Sequence, residues 1–160
     1  ALRNLKQLYP DIVYICIGYG DEEINLKKLV KELGLRNVFF LGAISEVKSY
    51  LDGIEIFLCT SLHESGPMSL FEAMAMEKAV VSTNVGDVSC NIENGRDGFV
   101  VPIGCVTSMV EKVKSLLMDE TLRVKVGKNA RKVVSKKFNL DQCALNHKQI
   151  YFEVAVDESL

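Results

Sequence analysis

His63-Glu64-Ser65-Gly66-Pro67-Met68-Ser69-Leu70-Phe71-Glu72-Ala73-Met74 sets two glutamates eight positions apart around a Ser-Gly-Pro turn. Directly before it, Ile54-Glu-Ile-Phe-Leu-Cys59 is short, apolar and β-branched at its start, which is the composition of a buried strand. After the turn, Met68 to Glu77 is a good helix-forming stretch. The unit expected is strand, tight turn, helix. Pro67 falls at the first helical position, where its missing N–H costs nothing.

The first turn of such a helix has free backbone N–H groups and the positive end of the helix dipole, which together form an anion site. Glu64 stands before that site, and Glu72 about a turn and a half into the helix. An ionised carboxylate only accepts hydrogen bonds, and its two oxygens match a vicinal diol. A phosphate cradle between two carboxylates suits a ligand with phosphate in its middle and hydroxyl groups at both ends. A nucleotide-sugar is such a ligand. A hydrolytic acid–base pair is the competing reading, but its carboxyls stand roughly 5–9 Å apart. Pro67 to Glu72 alone spans about 7.5 Å of helix axis, and Glu64 lies further back. The spacing favours two separate grips on one extended ligand.

The motif resembles the Glu-x7-Glu signature of the retaining GT-B glycosyltransferases of family 4, or group 1. Tyr14-Ile-Cys-Ile-Gly18-Tyr-Gly20 resembles the family's glycine turn after the first donor-domain strand. Val38-Phe-Phe-Leu-Gly42 resembles its Val-x-Phe-Leu-Gly strand. Glu72 to Thr83 is similar to Glu-Ala-Met-Ala-x-Gly-x-Pro-Val-Val-Ala-Thr, and Asn94 to Pro102 to Asn-Gly-x-x-Gly-x-Leu-Val-Pro. The ordered set covers roughly residues 12 to 152.

The resemblance implies roles. Glu72 holds the ribose hydroxyls, Glu64 contacts the donor sugar as the catalytic candidate, and the backbone of Gly66, Pro67, Met68, Ser69 and Leu70 holds the diphosphate. Gly18 allows close ligand approach, Gly42, Ala43 and Ile44 meet the base, and His63 is a candidate sugar contact. Retention by front-face attack needs no protein nucleophile. The chain has no Asp-x-Asp, the pair with which the other major transferase fold holds a divalent ion, so neither metal nor other cofactor is expected.

There are departures. Glu77-Lys78-Ala79 stands for Gly-x-Pro, and Gly86-Asp87-Val88-Ser89-Cys90 lacks the glutamate of Gly-Gly-x-Pro-Glu. The family's diphosphate-binding Arg and Lys lie upstream of the first donor-domain strand, whereas this chain begins about a helix ahead of it, at Ala1 to Tyr9. With no initiating methionine, the reading is one domain, residues 1–160, cut from a longer protein whose N-terminal acceptor domain is absent. Expected partners are a UDP- or GDP-type nucleotide-sugar, a glycan or lipid-linked acceptor, and the protein's own N-terminal domain.

Bulk properties fit. At 48% hydrophobic, 25% charged and a net charge of −2, the 160 residues suit one globular core and give nucleic acid no electrostatic footing. Five cysteines without a Cys-x-x-Cys pair read as reduced small hydrophobes of a cytoplasmic protein. Residues 121–137 carry seven bases, Arg123, Lys125, Lys128, Arg131, Lys132, Lys136 and Lys137, and no acid. They read as a solvated helix face over a buried stripe of Leu122, Val126, Ala130 and Val133 or Val134. The other reading is a peripheral contact at the inner face of the membrane.

Strands are expected near 12–17, 37–41, 54–59, 79–83 and 98–101, and helices near 22–33, 46–52, 68–77, 88–93, 105–118, 121–137 and 141–155. Strict alternation with apolar strands predicts an α/β, doubly wound, Rossmann-like parallel sheet with ligand at the carboxyl ends of its strands. Two alternatives share that architecture: a GT-B sugar-nucleotide epimerase, and a non-enzymatic doubly wound nucleotide-binding module. A receiver domain is disfavoured, because Gly18-Tyr-Gly20 and Ser61-Leu-His63 stand where its acidic cluster and phosphorylated Asp belong.

Overall fold

The structure, a computed structural model, describes residues 1–157; the last three residues of the expected domain lie outside it. The elements in order are α1 (Leu2–Leu8), β1 (Tyr14–Cys16), α2 (Glu23–Glu32), β2 (Val38–Phe40), α3 (Lys48–Gly53), β3 (Ile56–Cys59) and α4 (Met68–Ala75). There follow β4 (Ala79–Thr83), α5 (Val88–Asn91), β5 (Phe99–Val101), α6 (Val106–Met118), α7 (Glu120–Lys137) and α8 (Leu140–Asp157). The strand–helix alternation is the expected one. Helix α1 was not among the expected helices; Leu5, fully buried, anchors it in the core beneath α6.

All pairings are parallel, but the strands form two sheets and not one. One is β1–β2, with Tyr14 opposite Val38; the other is β3–β4–β5, with Ile56 opposite Ala79 and Val81 opposite Phe99. Strand β4 is buried along its whole length, because helices cover both its faces. Its residues alternate between the two layers. Val80 packs with Leu70, Phe71 and Met74 of α4 and with Ala130 and Val134 of α7. Ala79 and Val81 pack on the opposite face with Met109, Val113 and Leu116 of α6. Burying an aliphatic side chain of this size stabilises by about 1.5–3 kcal/mol, so this layer holds the α4 start in place.

Asp119 caps α7, accepting from the Leu122 N–H at 2.9 Å. The buried stripe of α7 is Val126, Gly127, Ala130 and Val134. Leu122 and Val133 lie at its margins, and Gly127 replaces one expected apolar contact with backbone-to-backbone proximity. Several of its bases are engaged. Arg123 reaches Glu55 at 3.1 Å, Arg131 reaches Glu77 at 3.4 Å, and Lys137 donates to the Cys90 carbonyl at 3.1 Å. All five cysteines are free. No helix of the described residues is long and apolar enough to cross a membrane.

Candidate active site

The β3–α4 connection sits at the carboxyl end of β3, where the alternation of strands and helices places ligands. One detail differs from expectation. Pro67 is the N-cap of α4 and not its first helical residue, with φ −73° and ψ 93°. Its carbonyl accepts from both the Leu70 N–H at 3.0 Å and the Phe71 N–H at 3.4 Å. Leu70, buried, therefore has its amide engaged within the helix. The amides of Met68 and Ser69 precede the first intrahelical donor and stay open to solvent, on exposed residues. Of the five residues expected to contribute backbone, Pro67 has no N–H, Leu70 donates its own to Pro67, and Gly66, Met68 and Ser69 have amides without a backbone acceptor.

Around that start the side chains lie on an open edge. His63, Glu64, Ser65, Met68, Ser69 and Glu72 are all exposed, while Pro67 is buried and Gly66 half-buried. The Ser61 hydroxyl donates to Glu64 Oε1 at 2.8 Å and orients that carboxylate. Ser61 is in turn held by Thr83, a buried residue at the end of β4, whose hydroxyl donates to the Ser61 carbonyl at 2.7 Å. Glu72 projects from the second turn of α4, and its side chain makes no hydrogen bond with another described residue.

The β4–α5 loop supports the turn from behind. The Asp87 N–H donates to the Ser65 carbonyl at 3.1 Å, and Gly86, at φ +52°, lies against the same carbonyl. Asp87 Oδ2 accepts from Asn91 at 2.9 Å, while Oδ1 is buried without a partner and stands 3.4 Å from where a Gly66 Cβ would lie. Thr83, Gly86 and Asp87 are supports that sequence reasoning missed as such. The signal available was this loop itself, in which Gly86 keeps the first glycine of the family pattern and Asp87 replaces the second.

Gly18 and Gly42 meet at the ends of β1 and β2, the Gly18 N–H donating to the Gly42 carbonyl at 2.8 Å. Both need glycine's backbone freedom, at φ +122° and +70°. Ala43 is exposed and Ile44 half-buried in the loop that follows. The motif residues therefore form two groups. Glu64 to Glu72 stands on the three-stranded sheet, and Gly18 with Gly42 to Ile44 on the two-stranded one. His147 lies apart, exposed on α8 with Nδ1 2.8 Å from the Cys143 carbonyl.

One titratable group near the supporting loops is displaced. Asp97 is 3% exposed, and burial raises its carboxyl above the ordinary value, opposed by the Glu93 N–H that it accepts at 2.8 Å. Among the described residues no cluster of His, Cys, Asp and Glu has the spacing of a metal site.

Residues 1–133 match the family described as glycosyl transferases group 1, and the chain belongs to that family. It is 30% identical over 149 residues to the N-acetyl-alpha-D-glucosaminyl L-malate synthase of Bacillus anthracis, covering 92% of this chain and 39% of that protein. Its fold matches the C-terminal domain of the glycosyl transferase group 1 protein LpcC from Francisella tularensis (TM-score 0.78, 26% identity, 86% of this chain and 75% of that one). It also matches Anabaena HepE solved in complex with UDP (TM-score 0.82, 23% identity, 95% of this chain and 43% of that one). The α/β fold is thus the Rossmann-like one of these glycosyltransferases. The chain spans about two fifths of the length of the curated relatives it matches.

Proposed function

We propose that this chain is the donor-binding domain of a longer, retaining glycosyltransferase and that it takes a UDP- or GDP-type nucleotide-sugar. The observation that carries the reading is the pair of outward amides, Met68 and Ser69, flanked by the exposed carboxylates Glu64 and Glu72. In this reading the two amides and the α4 dipole take the diphosphate, Glu72 accepts from the ribose diol, and Glu64, oriented by Ser61, accepts from the sugar. Support comes from the family and from the fold shared with HepE, a protein solved with UDP.

Transfer needs the acceptor hydroxyl within roughly 3–3.5 Å of the anomeric carbon, shielded from water. The exposed edge around Glu64 is one wall of such a cleft, and an N-terminal domain of the whole protein supplies the other. The leaving diphosphate deprotonates the acceptor on the same face, and the bond to the sugar is remade with retention. Glycans and lipid-linked sugars are the acceptor classes. The exposed Lys125, Lys128 and Lys132 of α7 suit a peripheral contact with anionic lipid at the cytoplasmic face, testable by flotation with phosphatidylglycerol vesicles.

Calorimetry of the 160-residue chain with UDP and GDP, with and without EDTA, tests the reading. Binding unaffected by EDTA is expected, because backbone amides take the charge. Strict dependence on Mg²⁺, or no binding of any nucleoside diphosphate, overturns it.

A further inference from the structure

A second crevice lies apart from the β3–α4 turn. It runs between α7 and the segment from α5 to Asp97, has a volume of about 470 Å³, and takes no residue from 63–72. Ligand clefts span about 300–1,000 Å³, so it has room for a small molecule. Two hydrogen bonds tie its walls together. Asn129 Nδ2 on α7 donates to the Arg96 carbonyl at 3.0 Å, and Lys137 Nζ donates to the Cys90 carbonyl at 3.1 Å.

Its floor is apolar but for one group. Ile92 is buried, Val133 is half-buried, and Asp97 is 3% exposed. Asp97 Oδ1 accepts from the Glu93 N–H at 2.8 Å, whereas Oδ2 makes no hydrogen bond with another described residue. Holding the Glu93 N–H needs one oxygen, which asparagine or serine would supply without a buried carboxyl. Buried polar atoms are as a rule paired, so Oδ2 is an acceptor offered to whatever occupies the crevice. The rim, by contrast, is basic. Lys132 forms no ion pair among the described residues, and Lys137 is bonded only to neutral acceptors, the Cys90 carbonyl and Asn91 Oδ1. Arg96 and Glu93 pair with each other. Two exposed ammonium charges thus stand uncompensated at the mouth.

We propose that this crevice binds a phosphate ester carrying a hydroxyl group, with the phosphate at the rim on Lys132 and Lys137 and the hydroxyl on Asp97 Oδ2 at the floor. Lysine holds phosphate as a point charge. An ionised carboxylate only accepts hydrogen bonds, so it takes an O–H donor and repels the phosphate end. The order of the charges therefore sets the orientation of the ligand. Free glycerol and sugar phosphates have this chemistry, and so does the polyol-phosphate headgroup of a lipid. The proposal does not rest on the transferase reading, because no residue assigned to the nucleotide lines the crevice.

NMR titration of the isotope-labelled chain with glycerol phosphate, and with n-propyl phosphate, which lacks the hydroxyls, tests it. Amide shifts are expected in 89–97 and 129–137, the two walls of the crevice, and not at 66–70. The propyl ester should bind about tenfold more weakly. Lys132→Ala should weaken both esters about threefold or more. Asp97→Asn keeps an oxygen for the Glu93 N–H and should bring glycerol phosphate down to the affinity of the propyl ester. No shift up to about 10 mM, shifts confined to 66–70, or equal affinity of the wild type for the two esters overturns the proposal, as does wild-type affinity in either variant. Flotation with phosphatidylglycerol vesicles separates the two sources. Displacement of the chain from vesicles by glycerol phosphate assigns the lipid headgroup, and binding of the free ester without such displacement assigns the soluble one.

Discussion

A Cβ placed on Gly86 would stand 2.3 Å from the carbonyl oxygen of Ser65 and 2.7 Å from that of Glu64. These are backbone atoms, so no side chain can swing aside. The Asp87 N–H bonds the same Ser65 carbonyl at 3.1 Å, and the two loops are clamped face to face. The turn that carries Glu64 is thus shaped by a glycine at the end of a different strand.

Gly86→Ala should push the two loops apart. The left-handed backbone at φ +52° adds about 1–2 kcal/mol of strain to the clash. A Tm fall of about 5 °C or more is expected, with nucleoside diphosphate affinity reduced beyond what partial unfolding explains. Titration of the folded variant by calorimetry checks this; wild-type affinity would show that the turn is not held by this contact.

Glu72→Gln exchanges a carboxylate for an amide with one acceptor oxygen and two unwanted donors. A hydrogen bond to a charged group contributes about 1.5–3 kcal/mol, so affinity should fall tenfold or more. A 2′-deoxynucleotide should show a similar deficit on the wild type and little further loss on the variant. Equal binding of ribo and deoxy ligands to the wild type would sink the diol assignment.

Glu77 is the one non-glycine among the described residues with positive φ, at +60°, in the turn from α4 to β4. Here the family pattern has glycine. Glu77→Gly should relieve about 1–2 kcal/mol of strain against about 0.5–1 kcal/mol of extra unfolded-state entropy. Its 3.4 Å pair with Arg131 is exposed and contributes little. A Tm rise of about 1–3 °C by calorimetry is the outcome expected. Gly127 packs on this turn, where a Cβ would lie 2.0 Å from the Glu77 carbonyl, so Gly127→Ala should lower Tm strongly.

Asp97 sets a pH dependence. Burial raises its carboxyl in the folded state, so the fold holds a proton that the unfolded chain has already released. That contribution to stability is present below about pH 4, the ordinary carboxylate range, and is lost as pH rises through the raised value. Asp97→Asn keeps an oxygen for the Glu93 N–H and cannot ionise. The Tm of the variant relative to the wild type should climb across that window, as followed by thermal melts from pH 3.5 to 7.

The β3–α4 unit was legible because its signals are local. An apolar run ends at Cys59, a turn signature follows, and helix formers begin at Met68. Glu64 and Glu72 were picked out as candidates by type and spacing, and both stand exposed beside the start of α4. Which amides at the start of α4 are left without an intrahelical acceptor was not legible, since the hydrogen bond that engages Leu70 depends on Pro67 taking an extended conformation as N-cap.

From its residues alone this chain was determined to be a parallel α/β protein, with its candidate site at one strand-to-helix turn, because periodicity and turn chemistry act within a few residues. Tertiary structure alone decided what supports that turn. Thr83 reaches the Ser61 carbonyl across 22 positions of sequence, and Gly86 and Gly127 lie against the carbonyls of Ser65 and Glu77. It also decided that β1 and β3 remain apart. Each of these contacts ends on backbone, which is identical at every residue and leaves no trace in composition or spacing.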